Sequence, residues 1–239
     1  MRKLITGICF LILVFICTIT CTPVKKYAAQ NGHSHNDYLN ANPFFNAYNE
    51  GFGSIEADVF PINGVLYVAH KKEEIQQQNT FKALYLDPLL SKLSTDSSNQ
   101  LNLLVDVKEN YKAALSLLIQ ELQPLMKYLS TTGKAKNITV SISGNRPPPD
   151  EYRQYPDFIF FDDDLTLKHS SEQWQRVHLV SLPFVKLSSW TGKGAISRKD
   201  LKTLRHTIDS VHSAGKPIRF WAAPDNKKAW KQQMKLGVD

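Results

Sequence analysis

The chain has 239 residues, enough for one large domain and few for two. With 42% hydrophobic and 21% charged residues it has the composition of a globular protein, which argues against a disordered or fibrous chain. The formal charge is +7, but no Lys/Arg run exceeds two residues and no basic stretch is interleaved with aromatics, so nothing points to nucleic acid as a partner.

Arg2 and Lys3 precede an almost uncharged segment at 4–20 with an apolar centre, the pattern of a secretory signal. Residues 1–21 are therefore read as a leader, and 22–239 as the folded domain of an exported protein. Setting Arg2 and Lys3 aside leaves 27 of 29 basic residues against 22 acidic ones, a charge of about +5. All three cysteines, Cys9, Cys17 and Cys21, lie in the leader, so the domain has no disulfide. Cys21 closes the apolar run and resembles the lipid-modified cysteine of bacterial lipoproteins. A lipid-anchored protein of the cell envelope is expected, with a secreted or periplasmic protein as the alternative.

Short apolar runs of β type then alternate with amphipathic stretches. Strands are predicted at 28–33, 54–60, 101–107, 138–142, 158–161, 177–182 and 217–221. Asn63-Gly64 reads as a tight turn that folds 65–70 back beside the preceding strand. Apolar residues at 115, 118, 122, 125 and 129 give a helical spacing over 111–129, which Pro124 splits or kinks. Leu201, Leu204, Ile208 and Val211 mark another helix, stopped by Gly215. Strand and helix in alternation imply parallel strands, and this rhythm predicts an α/β fold of the TIM-type (β/α) barrel class.

Three motifs fall at predicted strand ends. Gly32-His33-Ser34-His35-Asn36-Asp37-Tyr38 follows the first strand. In Ile55-Glu56-Ala57-Asp58-Val59 the acidic residues are two apart, so they share one face of a strand. Leu103-Leu104-Val105-Asp106-Val107-Lys108 repeats that spacing with Asp106 and Lys108. Buried carboxylates need a neutralising partner. Glu56, Asp58 and Asp106 together make an oxygen-rich site suited to Mg²⁺ or Ca²⁺. Each motif alone has a plainer reading: a solvent-facing strand, a pair of loop histidines or transition-metal ligands, a salt bridge. Their common placement in one half of a barrel favours a shared site.

His35-Asn36-x-Tyr38 resembles the motif that opens phosphatidylinositol phospholipase C catalytic domains. Glu56-x-Asp58 followed by His70 is similar to the metal pair and second histidine of those enzymes, glycerophosphodiester phosphodiesterases and spider-type sphingomyelinase D. Asp106-x-Lys108 resembles their third metal ligand and lysine. The string from Ser34 to His70 resembles the branch containing fungal "altered inheritance of mitochondria protein 6". The resemblance implies a metal-dependent phosphoric diester hydrolase. Glu56, Asp58 and Asp106 would hold the cation, and His35 and His70 would serve as base and acid, with His33 competing with His35. Asn36 and Lys108 would meet phosphate. Arg146 and Trp221, at later strand ends, are candidates for substrate contact, with a loop cap and a core aromatic as their plainer readings. Histidines 169, 178, 206 and 212 are expected on the surface or on helices.

Lys71 stands where many relatives have Asp, and their early Glu-Asn is absent, so the substrate is left as a phospholipid-derived or glycerophosphodiester-like compound. A lyase-type transphosphorylase yielding a cyclic phosphate, and a non-catalytic module for phosphoryl head groups, stay open as alternatives. The resembled barrels close with an eighth strand after a Gly-Val-Asp-like turn, where this sequence reaches Gly237-Val238-Asp239. The expectation is a barrel of seven main parallel strands, C-terminally incomplete.

Overall fold

The computed structural model describes residues 26–96 and 98–239. The leader at 1–21, with Cys21 as its candidate lipidation site, lies outside the described residues. The expected strand at 28–33 is largely a 3-10 turn at Ala29–Asn31, and only β1 (His33–Ser34) pairs. Asn31 Oδ1 accepts from the Ala28 amide at 3.1 Å, a local bond that competes with strand pairing.

After β1 come α1 (Phe45–Asn49) and the hairpin of β2 (Ser54–Ile62) with β3 (Val65–Val68). Asn63 and Gly64 turn that hairpin with φ of 49° and 79°, the positive values a two-residue turn needs to match the strand twist. A π turn at Lys82–Leu86 then enters α2 (Asp87–Thr95). β4 (Leu101–Val107) leads to α3 (Tyr111–Glu121), capped by the Asn110 side chain, and Pro124 converts the rest of the predicted helix into a 3-10 turn. β5 (Ile138–Gly144), β6 (Ile159–Asp163), α4 (Ser171–Gln175) and β7 (Val177–Pro183) follow. The chain continues through α5 (Arg198–Ser213), β8 (Ile218–Trp221) and α6 (Lys227–Leu236), which Gly237 stops at φ 90°.

The sheet order is β1-β2-β4-β5-β6-β7-β8, all parallel, with β3 antiparallel on β2. Seven parallel strands thus form an α/β TIM-like barrel lacking a strand, and among the described residues β1 and β8 do not pair. Outward residues such as Ile55, Ala57, Leu103 and Val105 are fully buried and pack with Leu89, Leu115 and Leu118 from the helices. Burying one such leucine contributes roughly 1.5–3 kcal/mol.

The inward face is polar. Register pairs Asp58 with Asp106, and Asp106 with Ser143. Deeper inside, Ser141 Oγ donates to Asn102 Oδ1 (2.6 Å), Asn102 Nδ2 donates to Ser54 Oγ (3.3 Å), and Ser54 Oγ meets His33 Nδ1 (2.8 Å). A satisfied network of this kind holds inward side chains in defined positions.

Candidate active site

The C-terminal strand ends surround a cleft of about 560 Å³, at the end of a parallel barrel where loops carry chemistry. His35, Asn36, Glu56, His70, Asp106, Lys108, Arg146 and Trp221 all line it, as does Arg219. Asp58 lies fully buried beside them, and His33 is set back from the opening.

Asp37 shapes the loop after β1. Its buried carboxylate accepts from the Ser34 hydroxyl (2.6 Å), the Phe44 amide (2.5 Å) and the Tyr85 hydroxyl (3.2 Å). Asn36 and Phe44 take positive φ of 48° and 65°, an uncommon conformation that these bonds hold in place. The turn leaves the His35 side chain 55% exposed and brings the Tyr38 hydroxyl to Asp58 Oδ2 at 2.7 Å.

The hairpin delivers His70. The Ala69 amide donates to the Asp58 carbonyl, and His70 Nδ1 then lies 3.1 Å from Asp58 Oδ2. That oxygen also meets the Lys108 ammonium at 2.6 Å, so it gathers three donors, whereas Asp58 Oδ1 is buried with no hydrogen-bond partner. Burial pushes the Asp58 carboxyl above its ordinary range, against the opposing pull of Lys108 and Tyr38. The Lys108 ammonium sits equally close to Asp106 Oδ2 (2.5 Å), while Asp106 Oδ1 accepts from the Ser143 hydroxyl (2.7 Å). Burial alone would lower the Lys108 value, but the two aspartates raise it.

The two neighbouring histidines differ sharply. His33 Nε2 lies 2.7 Å from Glu56 Oε2 and against the Arg219 guanidinium. Burial and Arg219 bring His33 down to about 4, so it stays neutral near neutrality. Burial would raise Glu56, but the His33 hydrogen bond and Arg219 hold it at about 2. His35 instead faces the cleft, its Nε2 3.6 Å from Glu56 Oε1.

Two groups were missed in the sequence. Arg219 donates from Nη1 to Glu56 Oε2 and from Nε to Ser181 Oγ, both at 2.9 Å. It stands two residues before Trp221, so the strand periodicity that paired Glu56 with Asp58 places it on the same inward face. Asp162, two residues after the inward Phe160, lines the cleft, with Oδ1 buried and unpartnered. Burial raises it to about 7 against the pull of Arg219. Arg146 pairs with Asp164 at 3.2 Å, and Trp221 is exposed where it lines the cleft rather than buried in the core. His206 and His212 lie on α5 as expected. His169 is instead buried, 3.0 Å from Asp163, and His178 lies on β7, where burial lowers it to about 4.

As they stand, no three His, Cys, Asp or Glu side chains among the described residues converge closely enough to enclose an ion. Lys108 and Arg219 take the carboxylates instead. The donor set still fits a hard divalent cation. All three groups offer carboxylate oxygens, Asp58 and Asp106 are register partners, and the buried Asp58 Oδ1 lacks the partner a cation would supply.

Residues 24–96, which include both histidine motifs and the Glu56–Asp58 pair, match the family described as AIM6-like phosphodiesterase domain. The chain is 34% identical over 246 residues to the "altered inheritance of mitochondria protein 6 homolog" of Arthroderma benhamiae, covering 86% of this chain and 78% of that protein. Its fold is similar to a calcium-dependent phosphoinositol-specific phospholipase C from a Gram-negative bacterium, Pseudomonas sp (TM-score 0.55, 12% identity, 91% of each chain). It is also similar to a glycerophosphodiester phosphodiesterase from Parabacteroides distasonis (TM-score 0.51, 15% identity, 89% of each chain).

Proposed function

The chain belongs to the altered inheritance of mitochondria protein 6 family, and on that premise we propose that it is a divalent-cation-dependent phosphodiesterase acting by a pair of histidines. One observation carries this reading: two half-exposed histidines, His35 and His70, line the same cleft as Glu56, Asp106, Lys108 and Arg219. A pure binding site needs cations for a phosphate and has no need of two imidazoles, the class of side chain that exchanges protons near neutral pH.

His70 donates a hydrogen bond from Nδ1–H to the Asp58 carboxylate, which can only accept. Its Nε2 is then the nitrogen that takes a proton from an attacking water. His35, whose Nε2 lies 3.6 Å from Glu56 Oε1, donates a proton to the departing alkoxide. Lys108 and Arg219 supply positive charge beside the phosphoryl oxygens. Glu56, Asp58 and Asp106 would hold Mg²⁺ or Ca²⁺, which when bound stabilises charge on phosphoryl oxygens. Nearby, Asn36 provides an amide for phosphate, and Arg146 and Trp221 offer contacts to the substrate beyond the phosphorus.

The substrate class is a phospholipid-derived or glycerophosphodiester-like compound, met at an envelope membrane through a lipid on Cys21. The test is a panel of phosphodiesters incubated with the full chain, with and without chelator, and followed by phosphorus NMR. Chelator-sensitive release of a phosphomonoester supports the reading. A cyclic phosphate would replace water by a substrate hydroxyl as nucleophile, and turnover indifferent to chelator would overturn the cation requirement. Cys21→Ser should move the protein from the membrane to the soluble fraction.

A further inference from the structure

Arg219 is engaged on one side and available on the other. Its Nε and Nη1 serve Ser181 on β7 and Glu56 on β2, so a single guanidinium spans the side of the barrel where β1 and β8 do not pair. Nη2 makes no hydrogen bond among the described residues, and the side chain lines the cleft. A guanidinium is a planar fork of five donors matched to the oxygens of a phosphate, and this one has donors left over beside the histidine pair.

The balance of charge gives those donors a role. Glu56, Asp58 and Asp106 face Lys108 and Arg219, three carboxylates against two cations. With the carboxylates ionised and the histidines left out, these five groups sum to one negative charge, unfavourable beside a phosphodiester monoanion. A bound divalent cation reverses the sign to one positive charge, which one phosphodiester neutralises. Arg219 and His33 both engage Glu56 Oε2, so a cation taking Glu56 through both oxygens competes with the guanidinium.

We propose that Arg219 couples the two binding events: it pairs with Glu56 until a divalent cation takes over that carboxylate, and then carries its charge to the substrate's phosphoryl oxygens. This rests on the cation-dependent reading above. Cation and phosphate then bind with positive cooperativity, and by linkage each strengthens the other by the same factor. Arg219 is a positioning residue for Glu56 without the ion and a phosphate ligand with it. Lys108, a point charge held by Asp58 and Asp106, lacks the fork that would let it serve both partners.

The test is isothermal titration of the full chain with Mg²⁺, without and with inorganic phosphate. In the wild type, phosphate should tighten Mg²⁺ binding about tenfold, within the usual range of such couplings. Arg219→Gln should bind Mg²⁺ at least as tightly as the wild type without phosphate, because Glu56 loses its competing partner, and should show a coupling factor several-fold smaller than the wild type, the remainder being the direct attraction of cation and phosphate. Arg219→Lys should recover part of the coupling. Wild-type coupling in Arg219→Gln overturns the proposal. A wild type that binds neither Mg²⁺ nor Ca²⁺ overturns the cation-dependent reading itself, a distinct result. If both Arg219 variants lose their folded circular-dichroism signal, Ser181→Ala decides, since it removes one tether and keeps the charge. Weakened coupling there supports the role, and unchanged coupling overturns it.

Discussion

Asp58 and Asp106 are register partners on adjacent parallel strands, and one ammonium, that of Lys108, lies 2.6 Å from the first and 2.5 Å from the second. Like charges on neighbouring strands disfavour each other, and an opposite charge between them relieves the repulsion. The Lys108 side chain supplies that charge, so the same geometry that recommends a metal also holds a competitor for it.

Asp58→Asn keeps the shape of the side chain and removes its charge. Activity on any phosphodiester the protein cleaves should fall at least a hundredfold, about 2.7 kcal/mol of transition-state stabilisation. The rise in melting temperature on adding Mg²⁺ or Ca²⁺ should vanish with it. Undiminished turnover in this variant would sink the assignment of Asp58 to the cation.

The histidines should separate by the kind of damage they cause. His35→Ala and His70→Ala remove half-exposed groups from the cleft, and each is expected to lose roughly 10²–10⁴-fold in rate. Their melting temperatures should stay near that of the wild type. His33→Ala strips a buried partner from Glu56 and Ser54, and leaving those groups unsatisfied costs roughly 1–3 kcal/mol of stability. Parallel measurements of rate and melting temperature check this. A stable but inactive His33→Ala beside a nearly normal His35→Ala would reverse the roles.

Two buried groups give stability opposite pH dependences. His33 sits at about 4, below its ordinary 6.5, so protonation is harder in the folded state. Its contribution is present above pH 6.5 and lost as pH falls through 4. Asp162 sits at about 7, above its ordinary 3.8, because burial opposes ionisation. Its contribution is present below pH 3.8 and lost as pH rises through 7. Asp162→Asn removes that second loss. Melting temperatures at about pH 5 and about pH 8, on either side of that transition, should show the variant gaining on the wild type at the higher pH. Parallel shifts in the two proteins would exclude Asp162 as the titrating group.

Much of this was legible because strand periodicity is a local rule. Glu56 and Asp58 share a face at any register, and Asn63-Gly64 carries the φ values its turn requires. Pro124 divided the predicted helix where the ring removes a donor. The strand at 28–33 was misjudged because Asn31 closes a local turn that no periodicity reveals. α1 and α2 were not foreseen: α1 has five residues, too few for a helical spacing to show, and α2 has only Leu89 and Leu93 buried. Arg219 and Asp162 meet the barrel interior only after β8 and β6 take their places in the sheet. A bond such as Arg219 to Glu56 spans 163 positions of sequence and has no local trace.

Gly144 tests the site from its backbone. It ends β5 with φ of 67°, a conformation that costs a side-chain-bearing residue roughly 1 kcal/mol or more. A Cβ built there would lie 2.5 Å from the Val107 carbonyl oxygen and 2.7 Å from Asp106 Oδ1. The carbonyl belongs to a ladder strand and cannot yield cheaply, since the Asn145 amide donates to it at 2.7 Å. The displaced group is then the Asp106 carboxylate, which Ser143 and Lys108 hold from either side. Gly144→Ala should therefore lower stability by roughly 1–3 kcal/mol, and should weaken Mg²⁺ binding although alanine carries no charge. Denaturant unfolding and titration with Mg²⁺ on the same preparation separate the two effects. Ser143 is unsuitable as a neighbouring control, because its hydroxyl already donates to Asp106. Asn145→Ala serves instead: it removes the side-chain contact to the Tyr111 amide at 2.9 Å and leaves Asp106 untouched. Equal losses of Mg²⁺ affinity in the two variants would show that the strand end as a whole, and not the close approach of Gly144 to Asp106, governs the carboxylate.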